Sequence, residues 1–137
     1  MSDLSDKARE IRKRAMTMVY NANSAHLGSI MSAIDILTVL YFKIMSVNPD
    51  EPLNDKRDRF ILSKGHAVAA LYATLFLRGY FKEEVLGGYC KDGSKLAGHS
   101  TIGCVPGIEA STGSLGHGLP MAAGMALAGK RDKKEEA

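Results

Sequence analysis

The stretch RFILSKGHAVAALYATLFLRG, residues 59–79, is where the fold class turns. Phe60, Ile61 and Leu62 make a short apolar run bounded by charge on one side and Gly65 on the other, which reads as a buried strand over residues 59–63. After it, residues 64–79 are apolar at nearly every position and close on Gly79, a pattern that predicts a helix ended by a glycine cap. A strand end that delivers Gly65 and His66 into a helix start is a favoured ligand position in an open α/β sheet. The stretch therefore predicts an α/β domain, a parallel sheet flanked by helices.

Upstream, Ala8, Ile11, Ala15, Met18, Val19 and Ala22 recur at intervals of three and four, an amphipathic helix that Asp3 or Ser5 can cap. NANSAHLGS, residues 21–29, reads as a polar loop. A second helix is expected over residues 31–45, apolar on more than one face and so deeply buried. Residues 46–58 hold two prolines, two asparagines and three aspartates before Arg59 and read as loop. Downstream, residues 82–89 suit a short helix or turn. Residues 90–113 carry no periodicity of either kind, and a long irregular segment inside a domain is commonly functional. A last helix is expected over residues 115–129. The charged turn-like segment after it would lead into a further strand, so the sheet is expected to be incomplete within these 137 residues.

With 137 residues, the chain suits one domain or a large piece of one. Hydrophobic residues at 45% are ample for a core, and charged residues at 24% are ordinary. A formal charge of +3, concentrated over residues 7–14 and 130–134, reads as solvated helix faces and points away from nucleic acid. Cys90 and Cys104 form neither a CxxC pair nor a disulfide framework. A polar N-terminus suggests neither signal nor transit sequence, and no membrane span is expected. A cytoplasmic location is the resulting expectation.

All four histidines stand beside or near glycine in loops or at helix starts: His26 in AHLG, His66 in KGHA, His99 in GHS and His117 in GHG. Glycine lets backbone approach a ligand, and imidazole exchanges protons near neutrality. Any one of them could be merely a solvated loop residue; the shared context argues for a proton-handling site. Zinc binding is a second reading, without HxxxH or HxH spacing to support it. Residues 113–118, rich in glycine and leading into a helix, could hold phosphate on free N–H groups, or could simply allow close packing. The chain has neither a Walker A lysine nor a dinucleotide GxGxxG there.

Taken in order, HLGSIMSAIDILTVLYF, RDRFILSKGHAVAALYATL, the Gly98–His99 pair and GIEASTGSLGHGLPMAAGMALAGK resemble the N-terminal part of the transketolases over nearly the whole chain. The resemblance implies thiamine diphosphate as cofactor and a pair of α/β domains, one holding the diphosphate and the other covering the aminopyrimidine. It places residues 1–137 in the N-terminal portion of the first. His26 matches the histidine of the family's GHPG motif, His66 that of SxGH near the diphosphate and thiazolium, and His99 that of PGHPE, which meets the donor sugar. Gly113 and Leu115 match the cofactor-contacting backbone and side chain of TGPLGQG, with Ser114, Gly116 and His117 in the same stretch.

There are departures: AHL for GHP, GHS for GHPE, and TGSLGHG for TGPLGQG, which puts His117 where glutamine is usual. These variants resemble transketolases made as two shorter chains. The implied activity is transfer of a two-carbon ketol unit from a ketose phosphate to an aldose phosphate, with histidines moving hydroxyl protons. The implied Mg2+ would be held by a GDG…N segment beyond Ala137, with no metal ligands in this chain. The implied partner is a C-terminal subunit carrying the pyrimidine-binding domain, in a homo- or hetero-oligomer. Two alternatives are a related thiamine-diphosphate enzyme (deoxyxylulose-phosphate synthase or a dehydrogenase E1 component) and a non-catalytic piece. LSKGHAVAALYA favours transketolase over the first.

Overall fold

The computed structural model describes residues 2–132, and these form five α-helices and shorter turns. Helix α1 spans Ser2–Asn21 and begins before the expected caps. Its stripe behaves as the periodicity predicts: Ala8, Ile11, Ala15, Met18 and Val19 are buried. Helix α2 spans Leu27–Met31 and α3 Ile34–Val39, continued by a π-helical turn over Leu40–Ile44. A 3-10 turn at Gly65–Ala67 opens helix α4, Val68–Arg78, which Gly79 caps in the left-handed region at φ 101°. A second 3-10 turn occupies Glu83–Gly88, and α5 spans Gly118–Arg131.

Helix α4 is the hub. Residues 68–75 are all buried, so this helix is wrapped on every side, as its unbroken apolar sequence requires. Helix α1 packs along it, and Arg14 reinforces the seam by lying 5.2 Å over the Phe76 ring while bonding Glu10 and Glu83. The buried hydroxyls of Thr38 and Thr74 donate to the carbonyls of Ile34 and Ala70, so neither is left unsatisfied in the core.

Two sequence expectations are corrected, and a third is not met among the described residues. Residues 59–63 form no strand ladder, and no strand occurs among the described residues. A strand exists only where a neighbour pairs with its backbone, and no described segment forms such a ladder with it. The single helix expected over residues 31–45 is instead interrupted at Ser32 and Ala33, and it starts earlier, at Leu27. Nor is it buried all round: Ile34, Leu37 and Tyr41 face the core, whereas Ile36 and Ile44 lie outside. Asp35 is accordingly on the surface, 2.5 Å from Arg12.

The same segment, Leu27–Ile44, has a mean hydropathy of 1.6 and is by length and composition apolar enough to cross a membrane, contrary to the sequence expectation. Its break, its core-facing stripe and its Arg12–Asp35 pair are those of a helix packed against α1 and α4.

The long irregular segment, residues 90–113, contains turns and bends and neither helix nor strand, as the missing periodicity predicts. Buried side chains anchor it: Leu96, Cys104, Val105 and Ile108. A near-buried ion pair also holds it, Arg57 to Glu109 at 2.8 Å, with the same guanidinium donating through Nε to the Pro52 carbonyl at 2.6 Å. Glu109 is thereby structural, as its place before the glycines suggests.

Candidate functional site

Two glycine-only approaches bring distant parts of the chain together. At Gly65 a Cβ would stand 2.5 Å from the Thr112 carbonyl oxygen, and at Gly118 one would stand 2.5 Å from the Ser63 Cα. No larger residue fits either place without displacing backbone. Between them the Thr112 hydroxyl donates to the Leu62 carbonyl at 2.6 Å. Residues 62–66 and 112–118 therefore cross in direct backbone contact. This is the physical use of the two glycine-bearing motifs, and it is independent of any ligand.

Around that crossing stand three imidazoles. The ring centroids of His26 and His66 are 4.6 Å apart, those of His66 and His99 4.6 Å, and those of His26 and His99 5.6 Å, each pair edge to face. Each ring comes from a different element: His26 from the residue before α2, His66 from the 3-10 turn before α4, His99 from the long loop. His26 adopts the left-handed region at φ 76°, uncommon for a side chain with a Cβ. Backbone held in such a region tends to mark a working site.

His99 has its pKa lowered, first by burial and then by the neighbouring His66 and His26, so its uncharged form is favoured. The His66 Nδ1 atom is buried without a hydrogen-bond partner, and so is the Ser100 hydroxyl. Gly113 lies against His99, where an added Cβ would meet the ring at 3.6 Å.

The structure thus assembles His26, His66, His99 and Gly113. Ser114, Leu115, Gly116 and His117 form the exposed turn entering α5, with Gly116 at φ 90° and His117 at the cap position. Among the described residues His117 makes no ring contact with the other three histidines. Sequence reasoning left out Thr112, Ser100, Lys64 and Ser32. Each is a small or surface-type polar residue that carries no spacing signal.

A thiamine diphosphate fits what is present. The buried orphan nitrogen of His66 and the hydroxyl of Ser100 await partners, the Gly113 backbone carries no side chain of its own, and α5 has no side-chain cap on its first turn. An uncapped helix start suits a negative group. Among the described residues no group of three His, Cys, Asp or Glu side chains is placed to hold a metal ion.

Three imidazoles thus converge over bare backbone beside an uncapped helix start. The chain belongs to the transketolase family, in its thiamine diphosphate binding domain, whose sequence model matches residues 4–136. It is 52% identical over 124 residues to one subunit of the apulose-4-phosphate transketolase of Phocaeicola vulgatus, covering 90% of this chain and 44% of that protein. It is 41% identical over 130 residues to a 6-deoxy-6-sulfo-D-fructose transketolase subunit of a Clostridium species, covering 95% of this chain and 47% of that one. Its fold matches the crystal structure of transketolase from Campylobacter jejuni with a TM-score of 0.90 at 38% identity, over 97% of this chain and 21% of that one. The chain spans less than half the length of these relatives.

Proposed function

We propose that this chain forms the diphosphate-binding part of a transketolase made as two polypeptides, acting on sugar phosphates in the cytoplasm. The observation that carries this reading is the three-histidine cluster, with a buried unpartnered nitrogen on His66, beside the bare backbone of Gly113. In the complete domain, residues 59–63 would be a strand of a parallel sheet flanked by these helices. Relatives named as one subunit of a transketolase support a second chain that supplies the pyrimidine-binding domain.

Bound thiamine diphosphate supplies the electron sink for cleaving and forming a carbon–carbon bond. This chain's residues bind, orient and exchange protons. His66 would offer its free ring nitrogen to the cofactor, and the backbone over residues 113–116, with Leu115, would lie against it. The start of α5 at His117 would face negative charge. His99, biased to its uncharged form, would accept a proton from a donor-sugar hydroxyl, and His26 would hold a neighbouring hydroxyl through hydrogen bonding. Mg2+ would neutralise the diphosphate through ligands from outside residues 1–137.

The experiment is to combine the full-length protein with its partner chain, thiamine diphosphate and Mg2+, and to follow ketol transfer between a ketose phosphate and aldose phosphates. Transfer that requires both chains supports the reading. Binding of the cofactor without transfer to any aldose would overturn it.

A further inference from the structure

Among the described residues the His26 imidazole makes no hydrogen bond; its ring touches the rings of His66 and His99. Its position is therefore set by where its backbone sits, and that backbone leads into α2, only five residues long. So short a helix has little stability of its own and takes its place from tertiary ties. Ile30 supplies one, fully buried on the inner side.

The second tie is polar. Lys64 Nζ donates to Ser32 Oγ at 2.7 Å, and Ser32 Oγ donates to the Ser29 carbonyl at 2.9 Å. Ser32 is the C-terminal cap of α2. Lys64 is the residue that leads into the turn bearing His66 and is the variable position of its SxGH motif. One side chain thus joins the far end of the His26 helix to the base of the His66 turn. Both partners of this bond are otherwise uncommitted to the core, and no ion pair among the described residues claims the ammonium.

We propose that Lys64 is a positioning residue, which through Ser32 sets the spacing of the His26 and His66 imidazoles. Misplacement by about 1 Å of a group that must meet substrate costs up to about a hundredfold in rate, so a clamp here would act on catalysis without touching substrate. The consequence for turnover rests on the function proposed above, whereas the spacing does not.

The test uses the full-length protein with 15N-labelled histidine and three variants, Lys64→Met, Ser32→Ala and the pair combined. Both single variants should shift the His26 and His66 imidazole signals in the same direction and leave that of His117 in place. The double variant should add nothing beyond Ser32→Ala, which already removes the Lys64 bond along with the Ser32–Ser29 bond. Lys64→Arg, which can still reach Ser32, should restore the wild-type signals. In the assembled enzyme kcat should fall about ten- to hundredfold in Lys64→Met with cofactor affinity unchanged. Unmoved imidazole signals in both single variants, or shifts that sum in the double, would overturn the proposal. Absence of ketol transfer in the wild type would count against the proposed function alone, since the imidazole signals report the clamp directly.

Discussion

At the scale of single residues, the three clustered histidines divide by environment. His99 is biased to its uncharged form, so its titration midpoint should lie below the usual 6.5. The sign follows from linkage: the unfolded chain binds a proton that the folded one resists, so stability rises with pH across this window. The contribution of His99 is complete above about pH 6.5 and is lost as pH falls below it. Denaturant titrations at pH 7.5 and 5.5 should differ in this direction, and His99→Ala should shrink the difference. In the assembled enzyme His99→Ala should lower turnover about a hundredfold or more while sparing cofactor affinity. His66→Ala should damage both if, as proposed, its ring meets the cofactor. Kinetics at saturating cofactor, set beside calorimetric titration, separate the two cases. These residues were legible in the sequence because all four histidines stand within two positions of a glycine. The tie between Lys64 and Ser32 was not, since a lysine and a serine thirty-two positions apart look like two surface residues.

At the scale of elements, the crossing of residues 62–66 with 112–118 is the joint that brings the site together. Gly65→Ala would drive a methyl group into the Thr112 carbonyl, and Gly118→Ala would drive one into the Ser63 backbone. Neither neighbour is the movable end of a side chain. Each substitution should cost about 1–3 kcal/mol or more, read as a lower urea midpoint, and should disturb the His66 and His99 imidazole signals together. Helices α1 and α4 were readable from their apolar spacing, and Gly79 from its place after Arg78. The break between α2 and α3 was not, because no proline or glycine at Ser32 or Ala33 announces it. The strand expected over residues 59–63 shows the same limit from the other side. Apolar residues can suggest an extended segment, but a strand is completed by a neighbour whose presence no local pattern can report.

At the scale of the whole molecule, four carboxylates of the described residues are held in ion pairs. Glu10 and Glu83 bond Arg14, Asp35 bonds Arg12, and Glu109 bonds Arg57. None of these four lies in the histidine cluster. A transketolase reaction needs a carboxylic acid at the cofactor's aminopyrimidine, so that acid should come from another polypeptide or another domain. Mixing this protein with its partner should therefore raise ketol transfer from background to full activity, and full activity from this protein alone would show that the acid is here. Leu115, in the turn entering α5, and Leu119 and Leu127 on that helix are 72%, 74% and 53% exposed among the described residues.

The backbone crossing also bears on how such an enzyme can be divided among genes. Its two sides are separated by about fifty residues of sequence, yet neither can hold its shape without the other pressed against it. A break in the reading frame anywhere between them would leave each product with half of a joint and no tether. A gene boundary between residues 66 and 112 should therefore weaken the joint, whereas one after the start of α5 leaves both of its sides in one product. Residues 62–118 are best inherited as one piece.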